Sequence, residues 1–112
     1  MTIFEKIAAR EIPARIVHET DEFLAFEDVH PQAPVHVLIV PKRVIRRIGE
    51  AVPSDATVLG SMLAAAGEIA EKLGVRESGF RLVINHGPDA GESVPHLHIH
   101  LLGGRSLSWP PG

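Results

Sequence analysis

A chain of 112 residues has room for one domain with a substantial core and too little for two. Hydrophobic residues at 45% and charged residues at 22% are the balance of a soluble globular protein, and a net charge of −3 argues against a broad cationic surface for nucleic acid. The lack of cysteine excludes disulfides, cysteine zinc ribbons and thiol nucleophiles; no apolar run approaches the ~20 residues of a bilayer span, and no signal-peptide core is evident, so a soluble cytoplasmic protein is expected.

The predicted elements begin with "TIFEKIAARE", where Thr2 and Glu5 form a capping-box pattern and Ile3, Phe4, Ile7 and Ala8 share a face of a short helix that Pro13 ends. "ARIVHET" and "EFLAFED" read as a hairpin of two short strands turning at Thr20–Asp21–Glu22. "VHPQAP" is a loop, and "VHVLIVPK" a central, buried strand. "RVIRRIG" suggests one helical turn. Ser54 is placed as N-cap of the long helix "DATVLGSMLAAAGEIAEKLG". Its apolar positions Val58, Leu59, Met62, Leu63, Ala66, Ile69, Ala70 and Leu73 keep helical rhythm, and Gly74 suits its end. Gly60 and Gly67 inside it suggest close packing on the sheet. "GFRLVIN" and "HLHIHLL" are the last strands, joined by the glycine-bearing loop "HGPDAGESVP". The class is α+β: a single domain with a five-stranded, mainly antiparallel sheet, one long and one short helix, and the helices on one side.

Three of the seven histidines fall in "HLHIHLL". On a strand, His96, His98 and His100 share one face, while Leu97, Ile99 and Leu101 turn to the core. Successive Cα atoms on that face lie roughly 6.5–7 Å apart and the outer two about 13 Å apart. Zinc nitrogens sit about 2.0–2.1 Å from the metal, so three alternate histidines converge on one ion with difficulty. A zinc site would need a distant ligand such as His36. A catalytic strand fits the spacing better: neutral imidazole is a competent nucleophile near pH 7, and its neighbours can orient it and handle protons. A merely solvated strand face explains one histidine better than three. The preceding loop, with Asn85, Gly87, Gly91 and Ser93, can aim backbone N–H groups and side-chain donors at an anion. Each part taken separately is also compatible with an ordinary turn.

H-L-H-I-H-L-L resembles the H-φ-H-φ-H-φ-φ pattern (φ apolar) of the histidine-triad superfamily of nucleotide hydrolases and transferases. "IFEKIAAREIPARIVHETDEFLAFEDVHPQAPVHVLIVPK", "GFRLVINHGPDAGESVPHLHIHLLGGR" and the ending "WPPG" are similar to its Hint branch, the histidine-triad nucleotide-binding proteins, over nearly the whole chain. The resemblance implies a single histidine-triad domain over residues 1–112 that hydrolyses purine nucleoside phosphoramidates and acyl-adenylates through a nucleotidyl-histidine intermediate on His98. It assigns phosphate oxygens to His100, a proton network to His36 and a supporting place to His96. Asn85, Gly91, Glu92, Ser93 and Val94 match the phosphate loop, with Ser93 near the leaving group. Asp28 matches the acid that holds the ribose hydroxyls. Phe4, Phe26, Val29 and Leu38 would contact the base. No metal or other cofactor is implied. A homodimer with a ten-stranded sheet is implied, with Trp109 near the partner's site. Dinucleoside polyphosphate hydrolysis and non-catalytic nucleotide binding are the alternatives.

Three positions depart from the family pattern. Glu92 stands where glutamine is usual, His86 where an acid is common, and His30 where serine or asparagine is usual, which opens the questions of substrate preference and pH profile. A carboxylate at 92 beside a phosphate is unfavourable unless it points to solvent. His18, in an early strand, has no evident partner.

Overall fold

A computed structural model describes residues 1–112. Helix α1 spans Ile3–Ala8, strands β1, β2 and β3 span Ile16–Glu19, Phe23–Glu27 and Val35–Pro41, helix α2 spans Ala56–Lys72, and strands β4 and β5 span Phe80–Val83 and Ile99–Gly103. The strands form one sheet in the order β1-β2-β3-β5-β4, and every neighbouring pair is antiparallel. The expected α+β domain with a five-stranded sheet is present.

The helices lie on opposite faces of that sheet, not on one side. β2 explains this, because its alternating residues are apolar on both faces. Phe23 and Ala25 join Val37, Ile39, Ile99 and Leu101 in the larger core, which α2 covers with Val58, Met62, Ala66, Ile69 and Ala70. Leu24 and Phe26 join Leu38 and Val40 beneath Phe4 and Ile7 of α1. The cap of α1 forms as its sequence predicts: Thr2 Oγ1 accepts from the Glu5 amide at 3.1 Å, and Glu5 Oε1 accepts from the Thr2 amide at 2.8 Å. At the other end of the chain of helical signals, Gly74 takes φ +74°. Its amide donates to Glu71, and the Val75 amide donates to Ala70, closing α2 with a Schellman motif.

Several boundaries differ from the sequence-based expectation. Ser54 does not cap α2; it sits within a short 3-10 turn, Pro53–Asp55, and Asp55 takes the cap position. Asp55 Oδ2 accepts from the Val52 amide at 2.9 Å, so its carboxylate braces the approach to the helix. Within "RVIRRIG" there is no full turn; a 3-10 turn begins only at Ile48. Gly60 and Gly67 do not pack closely on the sheet, since a Cβ at either would meet nothing within 4 Å. His18 has partners after all. Its ring stacks on Phe23 at 5.8 Å, and Lys72 Nζ donates to its Nδ1 at 2.8 Å.

A candidate active site on the face covered by the short helix

Register brings the histidines together. His36 and Leu38 point to one face of β3, and Leu38 lies opposite His100 of β5. Regular β5 begins at Ile99, so His96 and His98 lie in the irregular segment leading into it, not on the strand itself. The three are therefore not equivalent. Leu97, Ile99 and Leu101 do face the larger core, as alternation predicts.

His96 is fully buried and serves as a strut. Its Nε2–H donates to the Pro41 carbonyl at 2.7 Å, so its Nδ1 accepts from the Thr2 hydroxyl at 2.7 Å. Burial lowers its pKa, with the Pro41 carbonyl opposing in part, and the ring stays neutral. The backbone carbonyl of His96 in turn accepts Nδ1–H of His98 at 2.8 Å. A carbonyl can only accept, so that bond fixes the His98 tautomer: in neutral His98 the Nε2 carries a lone pair and no proton. His98 is only 6% exposed and its ring meets Phe4 edge-on at 5.0 Å.

A second chain of bonds fixes the other two rings. The Gln32 amide donates to His36 Nδ1 at 3.0 Å, and His36 Nε2–H then donates to His100 Nδ1 at 2.9 Å. His100 is left with its proton on Nε2, as a donor. Arg105 holds the loop that supplies this order, donating to the Gln32 carbonyl at 3.0 and 3.3 Å. Burial, followed by the positive charge that His98 and His36 can carry, lowers His100 to about 4. Burial also lowers His36, although Asp28, 3.5 Å away, opposes the shift. Asp28 is oriented by the His30 amide, which donates to Oδ1 at 2.8 Å; this is the position His30 fills at the departing residue. Asp28, His36 and His100 place one ligand atom each within 4.8 Å of one another and could accept a divalent ion. The His36–His100 contact is short enough for a shared proton instead.

Asp28, His98 and His100 border a cavity of about 250 Å³ with a mostly apolar lining, while His36 and His96 stand behind them and do not line it. Phe4, Phe26, Val29 and Leu38 line it together with the polar groups Asp28, Ser93, His98 and His100, and Val94. Glu27 also lines it, Ile3, Ile7, Ile12, Pro13 and Ala14 complete its wall, and none of these six is a site residue expected from the sequence. The signal of the last five was there as the apolar face of α1 and the break after it, but such residues read as core. Thr2, Gln32 and Arg105 were also missed as site supports. Thr2 and Arg105 act through contacts distant in sequence, and Gln32 acts through its backbone amide four residues before His36, which its side-chain type does not mark.

Four expected binding residues do not line this cavity. Asn85 is half-buried beyond β4, and Gly91, at φ +76°, shapes the loop backbone. Trp109 is 80% exposed on a tail that Arg81 holds through the Leu107 and Ser108 carbonyls. Glu92 neither enters the cavity nor points to solvent. Its carboxylate accepts Arg47 Nε–H at 2.9 Å and the Gly87 amide at 3.2 Å, and those donors hold it below the usual carboxylate range. Glu92 thus braces its own loop, tying it to Arg47. His86 caps a neighbouring turn, its Nδ1 accepting from the Gly49 amide at 3.0 Å.

Residues 9–107 match the HIT domain family. An uncharacterized HIT-like protein of Synechocystis is 56% identical over 99% of this chain and 96% of its own length. Among solved structures, a HIT family hydrolase from Legionella pneumophila is 46% identical, with a TM-score of 0.96 over all of both chains. A histidine triad protein from Clostridium difficile is 39% identical, with a TM-score of 0.91 over 95% of this chain and 92% of its own. With its fold and its sequence in agreement over nearly the whole chain, the chain belongs to the HIT domain family.

Proposed function

We propose that this protein is a hydrolase of purine nucleoside phosphoramidates and acyl-adenylates, of the Hint branch, that releases a nucleoside 5'-monophosphate. The observation that carries this reading is the orientation of His98. Its Nδ1–H is committed to the His96 carbonyl, so its unprotonated Nε2 is available beside an apolar cavity large enough to seat a flat ring. The names of the similar solved hydrolases and the C-terminal "WPPG" support it.

In the proposed reaction the base lies among Phe4, Phe26, Val29 and Leu38, and Asp28 accepts from the ribose hydroxyls. His98 Nε2 attacks phosphorus. The new N–P bond forms as the bond to the leaving amine breaks; the amine departs with that electron pair and takes a proton from solvent beside Ser93, and the water of the second step returns one proton to solvent. The imidazole gains positive charge in this step, and the His96 carbonyl on Nδ1–H stabilises that charge. His100 Nε2–H donates to a phosphoryl oxygen, its proton held in place by His36. Water then adds to phosphorus, breaks the N–P bond, and releases the nucleotide and neutral His98. Asn85, Gly91 and Trp109 enter this scheme only through the family resemblance. Trp109 reaches a site only in a homodimer, which we include in the proposal.

Mass spectrometry of an acid-avoiding quench of the protein with an adenosine phosphoramidate should show an AMP adduct on a His98 peptide. His98→Ala should lose the adduct and at least about a thousandfold of turnover, a lower bound against the roughly millionfold that loss of a nucleophile costs in a serine hydrolase. Turnover that survives His98→Ala would overturn the mechanism.

A further inference from the structure

A second depression adjoins the cavity and shares its wall. It is an open groove of about 560 Å³, and Ser93 and Val94 line both. Ile3 also borders both, and the rest of the groove's lining includes the apolar side chains of Met1 and Val44 and the guanidinium of Arg46. The charge of Arg46 is unusual for its surroundings. Lys42 pairs with Glu19, Arg43 with Asp55, and Arg47 with Glu92 and Glu50. Arg46 alone among these four basic residues has no carboxylate partner and no hydrogen bond. The acid in the groove, Glu5, is occupied by the Thr2 amide at 2.8 Å. The other formal charge there is the α-ammonium of Met1, also positive.

We propose that this groove is the leaving-group subsite, and that Arg46 selects conjugates whose leaving group carries an anion next to an apolar portion. The inference rests on the proposed reaction, in which Ser93 stands at the departing amine. A conjugate reaching past Ser93 places its amine substituent in the groove. The apolar patch then covers an aliphatic or aromatic side chain, and the free guanidinium takes a carboxylate or phosphate in a paired, bidentate fashion. Arg46 is thus a specificity-determining residue, apart from the histidines that perform the chemistry.

Two adenosine phosphoramidates that differ only in the anion provide the test: one made with leucine, the other with 3-methylbutylamine, which is leucine without its carboxylate. Diadenosine tetraphosphate forms a third arm, in which the anion is phosphate. The unsubstituted protein should prefer the leucine conjugate by about five- to tenfold in kcat/KM, as a solvent-exposed charged hydrogen bond allows. Raising the salt concentration should erode that preference. In Arg46→Gln the ratio of the two conjugates should fall toward one, and Arg46→Lys should restore part of it. A drop confined to the tetraphosphate arm would assign the anion to phosphate in place of carboxylate. A ratio that Arg46→Gln leaves as it was, with tetraphosphate cleavage also unaltered, overturns the subsite. Failure of the unsubstituted protein to cleave either phosphoramidate overturns the proposed reaction itself, and the two failures are read from different columns of the same experiment.

Discussion

At the scale of single residues, the site is a set of tautomers fixed by partners that can only donate or only accept. The Pro41 and His96 carbonyls and the Gln32 amide each decide which ring nitrogen holds a proton. The cost of this order is that three rings are kept neutral by burial: His36, His96 and His100 are all lowered, His100 to about 4. In the unfolded chain each would take up a proton near pH 6.5. Between that pH and the folded value the unfolded state binds more protons, so stability is complete above about pH 6.5 and is lost as pH falls toward 4. Each ring adds at most one proton to this slope, or about 1.36 kcal/mol per pH unit. Glu19, Asp55 and Glu92, whose carboxyls are lowered, begin to lose their contribution as the pH enters the ordinary carboxylate range and go on losing it below that range. The window from 6.5 to about 5.5 therefore isolates the histidines. Urea unfolding across it should show stability falling with pH, and His100→Asn should flatten the curve whatever its stability at pH 7.5. Parallel curves for the two proteins would contradict a half-buried, neutral His100.

At the scale of elements, what the sequence predicts well is what rests on short-range chemistry. The α1 capping box, the Schellman end of α2 and the alternation of Leu97, Ile99 and Leu101 all depend on residues within a few positions of one another. The misplaced features depend on packing. Ser54 is a good capping residue, but the Pro53–Asp55 turn carries the chain past it, and the Asp55 carboxylate braces that turn instead. Helices on both faces were implicit in β2, whose five residues include four buried apolar ones that cannot all face one way. The core of the site is legible as a histidine pattern, whereas Thr2 and Arg105 join it through contacts distant in sequence and Gln32 through a backbone amide that any residue type could supply. Glu92 was read as a phosphate-loop contact because its partner, Arg47, lies 45 positions away. Gly74 gives the element-scale prediction. A Cβ there meets no atom within 4 Å, so Gly74→Ala tests the left-handed conformation alone. It should lower the unfolding free energy by about 1–2 kcal/mol, measured by urea denaturation. An unchanged midpoint would mean that α2 ends by another route.

At the scale of the whole molecule, β4 and α2 leave surfaces that the single chain does not use. β4 is the outer strand beside β5, and all four of its residues are half-buried, with one side of its backbone unpaired. On α2, Leu63 is 48% exposed, and Gly60 and Gly67 lie on the same side of the helix with open space around them. A partner helix can approach closely over glycines, and Leu63 then supplies apolar contact at the centre of the crossing. Edge-to-edge pairing of β4 with its symmetry mate would extend the sheet to ten strands and bring Trp109 off its own subunit. The dimer we propose should sediment with twice the mass of the 12.1 kDa chain at micromolar concentration. Leu63→Arg would place two guanidinium groups against each other across the twofold axis, and like charges so placed cost several kcal/mol. The variant should sediment as a monomer and unfold at a lower temperature, because each subunit loses the partner's cover. It should also lose turnover in proportion to the monomer formed, since Trp109 would no longer meet a neighbouring site. A Leu63→Arg protein that stays dimeric would move the interface off α2, and an unsubstituted protein that sediments as a monomer would leave the β4 edge and Trp109 without the role assigned to them.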